Sequence, residues 1–340
     1  MNGHTILKLS SPFSLFSKDL SLINKEYRDL VKEWHPDHNK DLIANDVFSK
    51  IGSLYNQAKE MLSKGTWVTP NEVKVIDKNG KSEYVIRYKK KHNFELGDMY
   101  ISDTILAYKI DDKFAKFYNN FIDNVKCFHF ANKKMEKEMS KYLPLIIKSF
   151  KSSDGYLWLI ISKTKDLLLL DDVIDHYGKI DPKHVAWIIS SLYNTLCYFK
   201  YLGIVHSGLS TKTCFISPEH HSVAILGGWW YSVPEESKMI GISSNNFKYI
   251  PNKCKDSKES SCKIDLELLR LLGRQSLGDT TGVSLRSLKN RPKPMINWLI
   301  YPNKGSAIDE YKEWYNSILT NSFGPHKFIK MNLTSDMLYN

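Results

Sequence analysis

The densest potential chemistry in the first part of the 340-residue chain lies in His35, Pro36 and Asp37. An imidazole and a carboxylate flank a proline, which fixes its own backbone and holds a turn open. The Asp37 carboxylate suits a charge-assisted bond to a partner's arginine. Upstream, Lys25, Arg28 and Lys32 recur at three- and four-residue spacing, which on a helix gathers them on one side. Such cations either speed encounter with an acidic surface or form an ordinary solvated face. Further on, His206 stands before a loop. It is either a proton acceptor, which needs a reacting group beside it, or a core histidine with both nitrogens satisfied. Carboxylates thin out around it: no aspartate occurs between Asp181 and Asp256, where Glu219, Glu235 and Glu236 are the only acids. Magnesium-assisted phosphoryl transfer needs carboxylates, so that stretch is expected to lack such a centre.

Composition narrows the setting. With 42% hydrophobic and 12% aromatic residues, the chain has material for packed cores, and its length suggests two or three domains. A net charge of +11 fits an acidic partner: a protein face, RNA, DNA or a membrane surface. Cys127, Cys197, Cys214, Cys254 and Cys262 are odd in number, and no two have CxxC spacing. Neither a disulfide framework nor a zinc site is expected, and a reducing cytoplasm is the natural compartment (a host cytoplasm for a viral chain). No metal or cofactor is expected. The start, MNGHTILKLSSPFS, does not read as a signal peptide. The apolar run LWLIIS…LLLL is broken by Lys163, Lys165 and Asp166, so no membrane span is expected.

The residues must be positioned by elements. Residues 1–18 read as irregular. Leu20, Ile23, Tyr27, Leu30 and Trp34 form one helical stripe over 19–34, and His35-Pro36-Asp37 ends it. Phe48, Ile51, Tyr55, Ala58 and Leu62 form a second stripe over 45–62, so the two helices make an antiparallel hairpin. From Trp67 to about Tyr118 the chain alternates and turns, with Asn79-Gly80 as a hairpin signal. A short charged helix over 133–143 and two strands in 144–162 follow. From Asp181 onward the chain is mainly helical. The fold class is α+β.

One stretch, 73–92, holds Lys74, Lys78, Lys81, Arg87, Lys89, Lys90 and Lys91 against Asp77 and Glu83, with Tyr84 and Tyr88 between them. It admits two readings: a sheet surface for single-stranded nucleic acid, or an edge hairpin protected by lysines. A second cluster, Arg286, Lys289, Arg291 and Lys293, reads as a solvated loop.

Across about 45 residues, EYRDLVKEWHPDHN…FSKIGSLYNQAKEML resembles the J-domain family. The resemblance implies that His35, Pro36 and Asp37 form the active loop and that Lys25, Arg28 and Lys32 dock on a DnaK-type chaperone ATPase. The family's short first helix and its final helix are not evident in the sequence. Residues 94–333 resemble, more distantly, the protein-kinase fold, best over GKIDPKHVAWIISSLYNTLCYFKYLGIVHSGLSTKTCFISPEHHSVAILGGWWYS. In that likeness Gly208 takes the catalytic aspartate's place, Thr213 the asparagine's and Gly228 the metal-binding aspartate's. Lys116 matches the third-strand lysine, with Glu136 or Glu138 as its helix partner, or else is a surface lysine on an edge strand. Asp265 matches an aspartate that braces the catalytic-loop backbone. Trp229, Trp230 and Tyr231 read as packing against the helical lobe or as a stacking platform. The closing FGPHKFIKMNL resembles the tail of kinase-like domains fused to J domains in bacteria and bacterial viruses.

The expected layout is thus a J domain over 1–65, a basic hairpin or linker over 66–93, a kinase-like small lobe over 94–165 and a large lobe over 166–340. Function follows as a J-domain co-chaperone whose pseudokinase part binds an unknown protein client. The alternatives are a scaffold or nucleic-acid adaptor using the basic hairpin, and a phosphotransferase using Lys116.

Overall fold

The computed structural model describes residues 2–7, 9, 12–65, 67, 71–287, 292–325 and 327–339. The chain is mixed α and β and divides into two compact units, Met1–Val73 and Lys74–Asn340. Among the described residues no helix is long and apolar enough to cross a membrane.

The first unit is helical. Helices α1 (Gly3–Leu7), α2 (Leu20–Trp34) and α3 (Ala44–Ser63) surround a core of Ile6, Phe16, Ile23, Trp34, Val47, Ile51, Leu54, Ala58 and Trp67. Helix α1 and the turn Pro12–Ser14 correct the reading of residues 1–18 as irregular. Ile6 and Phe16 are buried there, and five residues are too few for a periodic signal to show. The stripes also shift. Leu20 is 56% exposed, and α3 buries Val47, Ile51, Leu54 and Ala58, while Phe48, Tyr55 and Leu62 are half-buried. Tyr55 instead stacks on Tyr27, with ring centroids 3.9 Å apart, and donates its hydroxyl to Asn24 at 2.7 Å.

Strand β1 (Glu72–Ile76) leads out of that unit and pairs with β2 (Glu83–Arg87). The turn between them is longer than the two residues Asn79-Gly80 suggest. Gly80 N–H donates to the Asp77 carbonyl at 2.9 Å and the Lys81 N–H to the Asp77 side chain at 2.9 Å. A five-stranded antiparallel sheet follows, built from β3 (Lys90–Phe94), β4 (Gly97–Ile101), β5 (Ile105–Ile110), β6 (Ile146–Lys151) and β7 (Leu157–Ser162) in the order β3-β4-β5-β7-β6. It begins at Lys90, so the expected boundary at 94 falls inside its first strand. The preceding hairpin is bonded to this sheet: Lys78 N–H donates to the Lys151 carbonyl at 2.8 Å and Ser153 N–H to that of Ile76 at 2.9 Å.

Between β5 and β6 lie helices α4 (Ala115–Lys126) and α5 (Lys133–Met139). Helix α4 replaces the strand expected around Lys116. Asp111 accepts the Lys113 N–H at 3.1 Å and opens a helical turn, and Tyr118 and Phe121 then bury at helical spacing. The rest is helix-rich: strand β8 (Leu168–Leu169), α6 (Leu170–Tyr177), α7 (Pro182–Leu202), short strands β9 (Ile204–Val205), β10 (Cys214–Ser217), β11 (Ser222–Ile225) and β12 (Val233–Pro234), then α8 (Ser244–Phe247), α9 (Asn252–Ser257), α10 (Cys262–Ser276), α11 (Lys293–Ile300), α12 (Ala307–Glu313), α13 (Leu319–Phe323) and α14 (Ser335–Tyr339). The central helix α7 shows how sequence sets its ends. Asp181 accepts the Lys183 N–H at 2.8 Å, Pro182 takes the first helical position, and Gly203 at φ 67° closes the C-terminus. Its buried side chains include Ile188, Leu192, Leu196 and Phe199.

Candidate functional site

In the first unit the turn between α2 and α3 carries the exposed chemistry. Helix α2 starts on Asp19, whose carboxylate accepts the N–H groups of Ser21 and Leu22 at 2.8 and 3.2 Å. It stops at His35, which is extended at φ −65°, ψ 128°, as the residue before a proline prefers. The N–H groups of His38 and Asn39 close the turn on the His35 carbonyl at 3.0 and 2.8 Å, and the Asn39 amide donates to the Glu33 carbonyl at 3.0 Å. The turn is therefore held from both sides. Inside it, His35 Nδ1 accepts the Asp37 N–H at 3.2 Å and the imidazole meets Phe48 edge to face at 5.2 Å. The Asp37 side chain is 78% exposed. Phe48 thus serves the turn rather than the core.

Lys25, Arg28 and Lys32 are all exposed on α2, and the Arg28 Nε–H donates to the Asn24 carbonyl at 3.0 Å. Asp29 and Glu33 are exposed beside them. The surface is therefore a mixed one with cations in excess, a pattern already visible in the sequence.

In the second unit, Gly208, Thr213, Gly228 and Asp265 gather around one loop. Asp265, at the start of α10, accepts the N–H groups of His206 and Ser207 at 2.7 and 2.8 Å. Burial pushes its pKa up to about 7, against the opposing effect of those two hydrogen bonds. His206 is fully buried, with Nε2 3.1 Å from the Gly227 carbonyl and Nδ1 accepting the Gly208 N–H at 3.3 Å. A carbonyl can only accept, so Nε2 carries the proton. Both nitrogens are then spent, as in a core histidine, and burial lowers its pKa to about 3 although the Gly227 carbonyl acts the other way.

Thr213 closes the loop on itself. Its hydroxyl donates toward the Gly208 and Ser210 carbonyls at 2.9 and 3.1 Å and accepts the Ser210 N–H at 2.9 Å. The two glycines touch through their backbones. A Cβ on Gly208 would lie 2.5 Å from the Gly228 carbonyl oxygen, and one on Gly228 would lie 2.6 Å from that of Gly208. Neither position has room for any side chain. Among the described residues, no group of three His, Cys, Asp or Glu side chains is placed to hold a metal ion.

Lys116 is not brought to this loop. It sits exposed on α4, and Glu136 and Glu138 are exposed on α5, so the matching of Lys116 to a sheet lysine is corrected. From the middle strand β5 it is Tyr108 that reaches the loop; a Cβ on Gly227 would meet its hydroxyl at 2.6 Å. Trp229, Trp230 and Tyr231 are buried, Trp230 stacking on Phe94 at 5.0 Å. The platform is thus mostly used in packing.

Beside the loop a cavity of about 710 Å³ is lined by residues of strands β3–β5 and of the loop itself. Glu95 fastens its rim, accepting from the Tyr231 hydroxyl at 2.6 Å, the Ser243 hydroxyl at 2.9 Å, and the Ser244 N–H and hydroxyl at 2.8 and 2.6 Å. Burial raises the Glu95 pKa, but those hydrogen bonds outweigh it and hold the carboxyl below its ordinary range. On the same side, the buried carboxylate of Asp172 on α6 meets Lys90 at 2.7 Å and His92 at 3.1 Å, tying β3 to the helical part. Sequence reasoning missed Tyr108, Glu95 and Asp172, because no motif marks them and their partners are remote in the chain.

Four of the seven basic residues of this stretch meet acids within their own unit. Lys74 pairs with Glu83 at 3.7 Å, Lys89 with Asp336 at 2.6 Å, Lys90 with Asp172 and Lys91 with Asp98 at 2.9 Å. Tyr84 packs on Phe150 and Tyr88 on Tyr100. Of the second basic cluster, Lys289 and Arg291 lie outside the described residues.

No protein-family model matches the chain, and no curated protein matches it either.

Proposed function

We propose that the chain is a J-domain co-chaperone that binds and stimulates a DnaK-type chaperone ATPase, with a kinase-shaped, catalytically inactive second unit that selects a protein client. The observation that carries the reading is the His35-Pro36-Asp37 turn itself. It joins two helices, is closed by hydrogen bonds from both sides, and leaves the Asp37 side chain in solvent, with Lys25, Arg28 and Lys32 exposed on the helix that precedes it. Asp37 would form a charge-assisted bond with an arginine of the ATPase, and the cations would steer encounter with its acidic surface.

The kinase-shaped part of the reading is supported by the order of elements: a five-stranded antiparallel sheet with a helical insertion after its third strand, followed by a long central helix, a loop and a strand pair. The proposal that it does no phosphoryl transfer rests on Gly208 and Gly228, whose backbones meet where the likeness calls for aspartates. A cytoplasmic setting goes with this reading.

Steady-state ATPase of a bacterial DnaK-type chaperone, with and without the protein, tests it. Stimulation should be lost in Asp37→Asn, which keeps the turn's shape and removes the charge. Equal stimulation by the variant would refute the mechanism.

A further inference from the structure

The end of the chain lies across the joint between the sheet and the helical part of the second unit. Met331 and Leu333 are buried in the core, so the segment before α14 is fixed by apolar packing. At α14 the attachment changes character. The helix has five residues, too few to hold its shape alone, and Met337 on it is exposed. Its ties are mostly polar. Ser335 donates its hydroxyl to Asp103 at 3.0 Å. The Asp336 carboxylate gives one oxygen to Lys89 at 2.6 Å and the other to Lys165 at 2.8 Å. The Tyr339 hydroxyl accepts the Leu169 N–H at 3.0 Å.

These partners stand on two sides of the joint. Lys89 leads into β3, and Asp103 lies in the turn between β4 and β5. Lys165 lies in the connector after β7, and Leu169 in β8, which pairs with β10 of the helical part. The next residue, Lys90, is held by Asp172 of α6 at 2.7 Å, so two carboxylates grip the entry to β3. They differ in setting. The Asp172 side chain is fully buried, whereas that of Asp336 is 51% exposed and that of Lys165 56%. Ion pairs this open are worth little and are screened by salt. The connector keeps its own shape, because the buried Lys163 ammonium donates to the Thr164 and Leu167 carbonyls at 2.9 Å each. The α14 tie can therefore let go while Asp172, the connector and the apolar packing hold.

We propose that α14 is an electrostatic latch across this joint, closed by Asp336 on Lys89 and Lys165 and released by salt. Release frees the entry to β3 and the Leu169 N–H. It thereby loosens one edge of the cavity, which His92 and Leu169 help to line. The inference concerns the second unit and stands apart from the co-chaperone reading.

Hydrogen–deuterium exchange of the full chain, read by mass spectrometry, tests it in wild type and in Asp336→Lys, which sets a cation against the two lysines. In the variant, peptides spanning 88–92 and 167–171 should exchange about tenfold faster, while those of α7 keep the wild-type rate. Raising sodium chloride from about 0.05 M to about 0.5 M should speed the same two peptides of wild type by about threefold and leave the variant unchanged. Adding Lys165→Glu to Asp336→Lys restores an opposite pair and should slow both peptides again. Wild-type exchange at both peptides in Asp336→Lys overturns the proposal. So does an increase that spreads equally to α7, which would make α14 an ordinary part of the core, a wild type indifferent to salt, or a charge swap that slows neither peptide.

Discussion

Placing a methyl group on Gly208 tests the reading of the central loop. The added Cβ would lie 2.5 Å from the Gly228 carbonyl oxygen and 2.8 Å from the Gly228 Cα. Both are backbone atoms, so no side chain can swing aside. Overpacking of a closed site costs about 1–3 kcal/mol, and a unit of this size loses roughly 2–4 °C of melting temperature per kcal/mol. Gly208→Ala should therefore melt about 2–12 °C lower. Gly228→Ala meets the Gly208 carbonyl at 2.6 Å and also sits at φ 84°, where an L side chain adds about 1–2 kcal/mol. It should lose more. Because the two clashes share one backbone contact, the double variant should lose less than the sum. Gly208→Asp buries a carboxylate in the same space, so it should be the least stable of the set and gain no magnesium-dependent ATP hydrolysis. Urea denaturation and thermal melting of the full chain, followed by tryptophan fluorescence, read the effect, since Trp229 lies beside this loop. Gly208→Ala melting with the wild type would refute the closed-backbone account and reopen the loop as a place where a carboxylate can work.

Acidification should act on His206 and Asp265 in opposite directions. His206 is held near pKa 3 in the folded chain against an ordinary 6.5, so its contribution is full above about pH 6.5 and is lost as pH falls toward 3, by up to about 1.4 kcal/mol per pH unit. Asp265, raised to about 7 from an ordinary 3.8, contributes fully below about pH 3.8 and loses that contribution as pH rises through 7. The two slopes offset between about pH 4 and pH 6.5, so Asp265→Asn should unmask an acid-sensitive urea midpoint there; parallel wild-type and variant curves would contradict the assignment. Arg270 and Glu310 are both buried and 2.8 Å apart, so Arg270→Ala, which strands the Glu310 charge, should cost about 3–5 kcal/mol in urea. Replacing both by methionine should restore most of it, and a milder single loss than the double would show that the pair does not bear on stability.

Much of the first unit was legible in the sequence, because helix periodicity and the proline after His35 are local signals. They placed α2 and α3 within a residue or two and put His35, Pro36 and Asp37 in the turn between them. They did not show α1, whose five residues are recognisable only by the core that Ile6 joins. For α7 the sequence reading reached only a mainly helical region from Asp181; Pro182 and Gly203, which bound the helix, are local signals it did not use.

What the tertiary structure decided is what depends on distant partners. Lys116 read as a strand residue because aromatic and apolar residues around it alternate; the Asp111 cap and the burial of Tyr118 and Phe121 made it helical. The basic stretch 73–92 admitted both a nucleic-acid surface and a lysine-protected edge hairpin; the structure pairs Lys74, Lys89, Lys90 and Lys91 with Glu83, Asp336, Asp172 and Asp98, Asp336 coming from the far end of the chain. The sequence by itself determined that the middle of the chain lacks aspartates. Only the folded chain decided that Gly208 and Gly228 press together and that the Tyr108 hydroxyl lies against Gly227, because a contact between residues remote in sequence leaves no period and no local propensity to read.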